Sequence, residues 1–190
     1  MNDIFYFFEH INSQTRFFFL VSGLSLFWLL ELNIPFSNRP YRRLEHAKVN
    51  ITFTLTTLIL NLFGAFGILK AVDFVSANNF GLLNKMVIPL WMYVLIGLVL
   101  MDFIGAWLIH WIQHNVKWMW KFHVIHHTDR YVDVTTGLRH HPGESIFRLL
   151  FTSIAVFVSG ASFGIVMLYQ TISGFFAHLT HTNVKEIEKL

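Results

Sequence analysis

Four long apolar stretches separated by short polar ones set the frame of this 190-residue chain. A bilayer hydrocarbon core of about 30 Å is crossed by about 20 apolar residues in helix. Against that length, Phe17–Leu32 (interrupted by Glu31), Val49–Leu69 and Val87–Ile112 each predict a spanning helix. Threonines in the second stretch can bond carbonyls of the preceding turn, which makes them tolerable in lipid. The fourth stretch, Ile146–Ala177, offers only about 30 residues, too few for two crossings and a turn. Its middle reads Ser159-Gly160-Ala161-Ser162, with Gly164 close behind, which is a turn signal. It predicts a re-entrant helical hairpin that enters and leaves on one side. Neither an internal repeat nor a low-complexity stretch interrupts this pattern.

The polar positions orient these elements. Arg39, Arg42, Arg43 and Lys48 lie between the first two stretches, whereas the loop between the second and third holds only Lys70, Asp73 and Lys85. Lys117, Lys121, Arg130, Arg139 and Arg148 follow the third. Basic residues favour the cytoplasmic side, so the first loop and the region after the third span are expected there, with the N-terminus outside. The opening MNDIFYFFEH has no basic leader and no small-residue cleavage site follows, so the first span is expected as a retained anchor.

Composition narrows the class. Hydrophobic residues make up 54% and charged residues 13%, where soluble chains carry about 25% charged. Such a surface needs lipid around it. The net charge is only +3; no nucleic-acid partner is expected, and the oligomeric state is left open. The absence of cysteine excludes disulfides, thiolate metal sites and cysteine nucleophiles. The expected fold is an all-α, multi-pass membrane protein forming one membrane domain over residues 1–190. It has about three spanning helices, a re-entrant hairpin and a cytoplasmic histidine-rich cap.

That cap carries the chemistry. Seven of eleven histidines fall between His110 and His141, and His178 and His181 follow the fourth apolar stretch. His110 and His114 form an HxxxH pair, and His123, His126 and His127 form HxxHH. On a helix, residues three or four apart share a face, so these rings can meet at a metal. Imidazole suits iron, copper, zinc and nickel, and spacing alone does not choose among them. The predicted hairpin returns His178 and His181 to the same side. Asp102 lies about two helical turns into the bilayer before His110; there a carboxylate is costly unless it faces a polar neighbour or the site. Asp102, Asp129, Asp133 and Glu144 are candidates to orient the imidazoles. Trp118, Met119, Trp120 and Phe122 predict an interfacial aromatic surface.

These ordered motifs, HWIQH, WKFHVIHH, DVTTGLRHHPGE and HLTHTN, resemble the fatty acid hydroxylase superfamily of sterol desaturase-like integral membrane oxygenases. The resemblance covers about residues 98–184. It implies a non-haem di-iron centre, with zinc as a possible substitute, that uses O2 to hydroxylate or desaturate a lipid C–H bond. It implies His110, His114, His123, His126, His127, His141 and His181 as metal ligands, with His178 as a further one. His140 lies beside a matched position rather than on one and is left out of that set, whereas His10 and His46 match nothing and are expected at interfaces. Asp102 and Arg139 are carried over as supporting site residues. Implied partners are a bilayer lipid and an external electron donor of cytochrome b5 or ferredoxin type. A further HxxHH box, which family members generally carry after the H-x-N segment, does not occur in these 190 residues, so the chain is expected to be C-terminally incomplete. An inactive relative, a bis-histidine haem protein and a histidine-rich metal-binding or transport protein are the alternative readings.

Overall fold

The computed structural model describes residues 2–37 and 40–185, and nearly all of them are helical. An N-terminal helix α1 (Asn2–Glu9) precedes α2 (Ser13–Asn33) and α3 (Arg43–Ala77). Next come α4 (Leu90–Asn115), α5 (Lys117–His127), α6 (Pro142–Ser159) and α7 (Phe163–His181). Short 3-10 turns occupy Leu83–Lys85 and Val134–Leu138. Among the described residues α2, α3, α4, α6 and α7 are long and apolar enough to cross a membrane. Their outer faces carry exposed Phe63, Phe66, Leu95, Val99 and Phe176, as lipid contact requires. This is an all-α integral membrane protein.

The first three spans fall where hydropathy puts them, but α3 has 35 residues, roughly 50 Å at 1.5 Å per residue. Its polar first turns, with Glu45, His46 and Lys48, therefore stand beyond the apolar layer on the histidine side. Helix α4 is α-helical to Asp102, passes through a π segment over Phe103–Leu108, and resumes as α-helix to Asn115. The wider turn re-aims the residues after it relative to those before, and such segments recur beside functional sites.

The fourth apolar stretch forms the expected hairpin, with both ends on the histidine side. It goes deeper than its apolar count alone implies. Its arms hold 18 and 19 residues because α6 starts at Pro142 and α7 runs on through His178 and His181, taking the polar ends into helix. Gly160 closes α6 with φ of 72°, a left-handed conformation that glycine adopts without Cβ strain. The tip is tied to the loop after α3: Leu82 N–H donates to Val158 O at 3.0 Å, and Asn84 Nδ2 donates to Gly160 O at 3.1 Å. That loop is at the end of α3 remote from the histidines, so each arm runs the depth of the bundle.

Helix α6 packs along α3 and α7 along α2, while α4 touches both arms. Met101, Ala155, Val156, Ile165 and Val166 are fully buried between them. Helix α1 is too short to cross and lies against α7 at the hairpin-tip end. There Phe8 and Ile11 are buried, and Phe5 meets Tyr93 edge-on at 6.2 Å.

Candidate metal centre

Helix α4 ends in the HxxxH pair, and an extended residue, Val116 (φ −98°, ψ 107°), turns the chain into α5. Helix α5 packs on the end of α4. The i, i+4 pair His123 and His127 therefore faces the i, i+4 pair His110 and His114. Nε2 atoms lie 3.0 Å apart between His110 and His114, and 3.1 Å apart between His123 and His127. One ligand nitrogen from each of the four rings falls within 4.8 Å of all the others. Four neutral nitrogen donors converging on one point suit a divalent transition metal. Trp120 flanks the group, 5.1 Å from the His114 ring and 5.4 Å from that of His127.

A second group adjoins the first. His126, on the other side of α5, meets His181 of α7 with their Nε2 atoms 3.0 Å apart. The His140 ring stacks on His126 at 5.1 Å with the planes 6° apart. Burial, reinforced by the neighbouring His140 and His181 rings, pushes His126 down to about 3. Burial likewise lowers His127, with His123 and His114 adding to it. Both therefore stay neutral, the form that binds metal.

Glu144 links the two groups. It is fully buried in the first turn of α6. Its Oε1 lies 3.1 Å from His123 Nδ1 and accepts from His140 Nδ1 at 3.0 Å, with Arg148 Nη1 at 3.8 Å. A carboxylate on Nδ1 fixes the ring and leaves Nε2 for a metal. His181 is oriented in the same way, its Nδ1 donating to Ala177 O at 2.6 Å.

Residues 94–190, about half of the chain, match the fatty acid hydroxylase family. The chain belongs to that family. A curated relative is the ornithine lipid hydroxylase OlsE of Rhizobium tropici, 30% identical over 97 residues. The aligned part is 50% of this chain and 29% of the relative, so the chain spans less than a third of the length of that protein. No solved structure matches.

Of the histidines the fatty acid hydroxylase motifs mark, the fold brings together His110, His114, His123, His126, His127 and His181. His141 is placed differently. It caps α6, its Nδ1 accepting the Gly143 N–H at 2.9 Å, and its ring faces Phe122 at 5.1 Å. Its neighbour His140 turns inward to Glu144 and His126 instead. His178 is buried at the side of α7 toward α2; a Cβ on Gly23 would sit 3.4 Å from its ring. Asp102 is exposed on α4 and lines a groove of about 450 Å³ with Trp107, His110 and Arg148.

The remaining family residues build the frame. Arg139 donates from Nε to Ile125 O at 3.0 Å, from Nη2 to Thr128 Oγ1 at 3.1 Å and from Nη1 to Asn50 Oδ1 at 3.1 Å. It thereby ties the C-terminal end of the HxxHH helix to α3, where a cation is also favoured by the helix dipole. Asp133 caps the turn Val134–Leu138 through Thr135 and Thr136. Asp129 and Asp133 orient His46 rather than the clustered rings, at 2.7 and 3.0 Å. Burial raises Asp129, but hydrogen bonds from His46, Thr136 and the Tyr131 N–H more than offset it, leaving the carboxyl below its ordinary value.

Three contributors lie off the motif positions: His140, already placed on Glu144 and His126, together with His46 and Glu31. His46, expected at an interface, is the clasp between these two aspartates. Glu31 is buried, and its Oε1 accepts from Val134 N–H (2.7 Å), Asn183 N–H (2.8 Å) and Thr182 Oγ1 (3.0 Å). It anchors the chain just after His181 to α2. A lone acid in an apolar stretch was the available signal, since lipid tolerates one only when it is satisfied internally.

Proposed function

We propose that this protein is an integral membrane, non-haem di-iron oxygenase that hydroxylates a lipid C–H bond with O2. The observation that carries this is the pair of adjoining imidazole groups on α4, α5 and α7, bridged by the buried Glu144 at the end of a membrane bundle. Unactivated C–H bonds offer no acid–base handle, so side chains alone cannot supply the chemistry. Two iron ions held by these histidines would supply O2 activation, with zinc as an inactive substitute.

The balance requires two electrons and two protons for each O2, one oxygen atom entering the lipid and the other leaving as water. An external donor of cytochrome b5 or ferredoxin type would deliver the electrons. Desaturation, which removes two hydrogens from the same kind of substrate, uses the same inputs. His110, His114, His123 and His127 would hold one metal, and His126, His181 and His140 would contribute to a second. Glu144 and Arg139 position the rings. The basic loops favour a cytoplasmic side for this face, and the lipid would then enter from the adjoining leaflet. The relative's name, an ornithine lipid hydroxylase, supports a polar lipid as substrate.

The test is expression of the full chain in a host fed 18O2, followed by mass spectrometry of extracted lipids. A lipid heavier by one 18O atom, absent from a His126→Ala, His127→Ala strain with equal membrane-inserted protein, supports the proposal. An unchanged lipid profile, with iron bound and a reductase supplied, would sink it.

A further inference from the structure

The helix pairing leaves a slot. Helix α2 packs on α7 and α3 on α6, whereas among the described residues α2 meets α3 chiefly through Arg43, beside Glu31 at 3.8 Å and over the Trp28 ring at 5.3 Å. Between the two pairs lies a cavity of about 440 Å³. The 3-10 turn Val134–Leu138, which packs on α2, α3 and α7, roofs it on the histidine side. Gly137 and His140 line the cavity at that roof. A Cβ on Gly137 would come within 3.6 Å of His181 Nδ1, so the roof is thin just beside the imidazole cage.

The lining is polar where the bilayer is not. Thr57, Asn61, Thr152, Tyr169, Gln170 and Ser173 all border the void. Thr54 bonds to Leu138 O in the roof, and Asn61 lies seven residues further along α3, about 10 Å deeper at 1.5 Å per residue. Gln170 lies eleven residues from His181, about 16 Å down α7. Asn61 is exposed and Gln170 half-buried, both within the membrane-spanning lengths of α3 and α7, where polar groups call for partners from protein or from a guest. The threonine hydroxyls are spent on their own helices: Thr57 donates to Thr54 O and Thr152 to Arg148 O. The two amides are not. Asn61 places one N–H on Thr57 Oγ1 at 3.2 Å, and Gln170 accepts from Arg16 Nη2 at 2.8 Å. Among the described residues these are the hydrogen bonds they make, which leaves the Asn61 carbonyl and the Gln170 N–H groups without protein partners. A plain hydrocarbon chain in the slot would strand them.

We propose that this slot takes in, sideways through the gap between α2 and α3, a lipid segment bearing its own hydrogen-bonding groups. Amide, ester or hydroxyl groups meet the Asn61 and Gln170 amides, and the segment continues to the cage at His140. That the bound segment is the one oxidised rests on the hydroxylase reading; that it binds does not.

The test uses the purified full chain in detergent and two photoreactive probes of equal chain length, an alkyl amide and the corresponding alkane, each with a diazirine. Peptide mapping of the adducts needs neither metal nor turnover. The amide probe should label α3 and α7 around Asn61 and Gln170 about tenfold more than the alkane, the effect of one good hydrogen bond. Asn61→Leu and Gln170→Leu should each bring the two probes to within about twofold of each other. Unlabelled amide should compete, and gel filtration checks that the variants remain folded. Equal labelling by both probes, as from a hydrocarbon-binding or merely water-filled slot, or a preference that survives both substitutions, overturns the proposal. Selective labelling by a chain that yields no oxidised lipid supports the slot while removing the catalytic reading. Hydroxylation without amide preference does the reverse.

Discussion

Replacing Glu144 should uncouple the histidine cage from the bundle. The carboxylate is fully buried, and one oxygen serves His123 at 3.1 Å and His140 at 3.0 Å. Arg148 is farther away and 42% exposed, so its attraction is screened and adds little. Glu144→Ala takes the acceptor from His140 and the adjacent carboxylate from His123, and breaking a buried charged or hydrogen-bonded pair costs about 3–5 kcal/mol. Glu144→Gln preserves shape and one carbonyl acceptor, so its cost falls to about 1–3 kcal/mol. At about 2–4 °C per kcal/mol for a chain of this size, Gln should lower the unfolding midpoint of metal-free protein by several degrees, and Ala by about 10 °C. Metal affinity carries a separate signature, because loss of a partner that orients a ligand costs about 10–100-fold. Chelator competition monitored by metal analysis reads that loss, and differential scanning fluorimetry reads the stability. If Glu144→Gln retained metal within about twofold of the parent with an unchanged midpoint, Glu144 would not be orienting the cage.

Three further expectations follow from the same geometry. His140→Ala should lower metal content, whereas His141→Ala should cost about 1 kcal/mol as a lost helix cap and leave metal content unchanged; equal metal loss from both would contradict the placement of these rings. Arg139→Lys should weaken metal retention several-fold by freeing the end of α5, since a lysine cannot span three acceptors with a planar fork; full retention would show that α5 needs no such tether. Gly160→Val forces a side chain into a left-handed position, at about 1–2 kcal/mol, and against Phe80 O and Asn84. Thermal unfolding of the variant should therefore start several degrees earlier, and an unaltered midpoint would argue against the tied hairpin tip.

Much of the fold is legible because lipid imposes one rule on every span: about 20 apolar residues in helix. That rule locates α2, α3 and α4, and the Ser159–Ser162 turn locates the hairpin. It understates the depth of α6 and α7, since Glu144, His178 and His181 are polar yet helical, and Glu144 and His181 meet His123 and His126, which are distant in sequence. The HxxxH and HxxHH spacings are equally legible, because i, i+4 geometry is local. The choice between His140 and His141 is not set by spacing, although one local signal exists: His141 precedes Pro142 at the first helical position, where a capping residue belongs. The π segment before His110 and the clasp of His46 between Asp129 and Asp133 are products of tertiary contact that no period or composition announces, and of the Glu31 anchor the sequence shows only a lone acid in an apolar stretch.

The central claim is that neighbouring imidazole groups hold a pair of iron ions without haem. Metal analysis and the optical spectrum of protein purified from iron-replete cells test it together. The account predicts about two iron ions per chain and no Soret absorption, with iron lost from the His126→Ala, His127→Ala variant. A strong Soret band, or iron content that survives that double substitution, would contradict it.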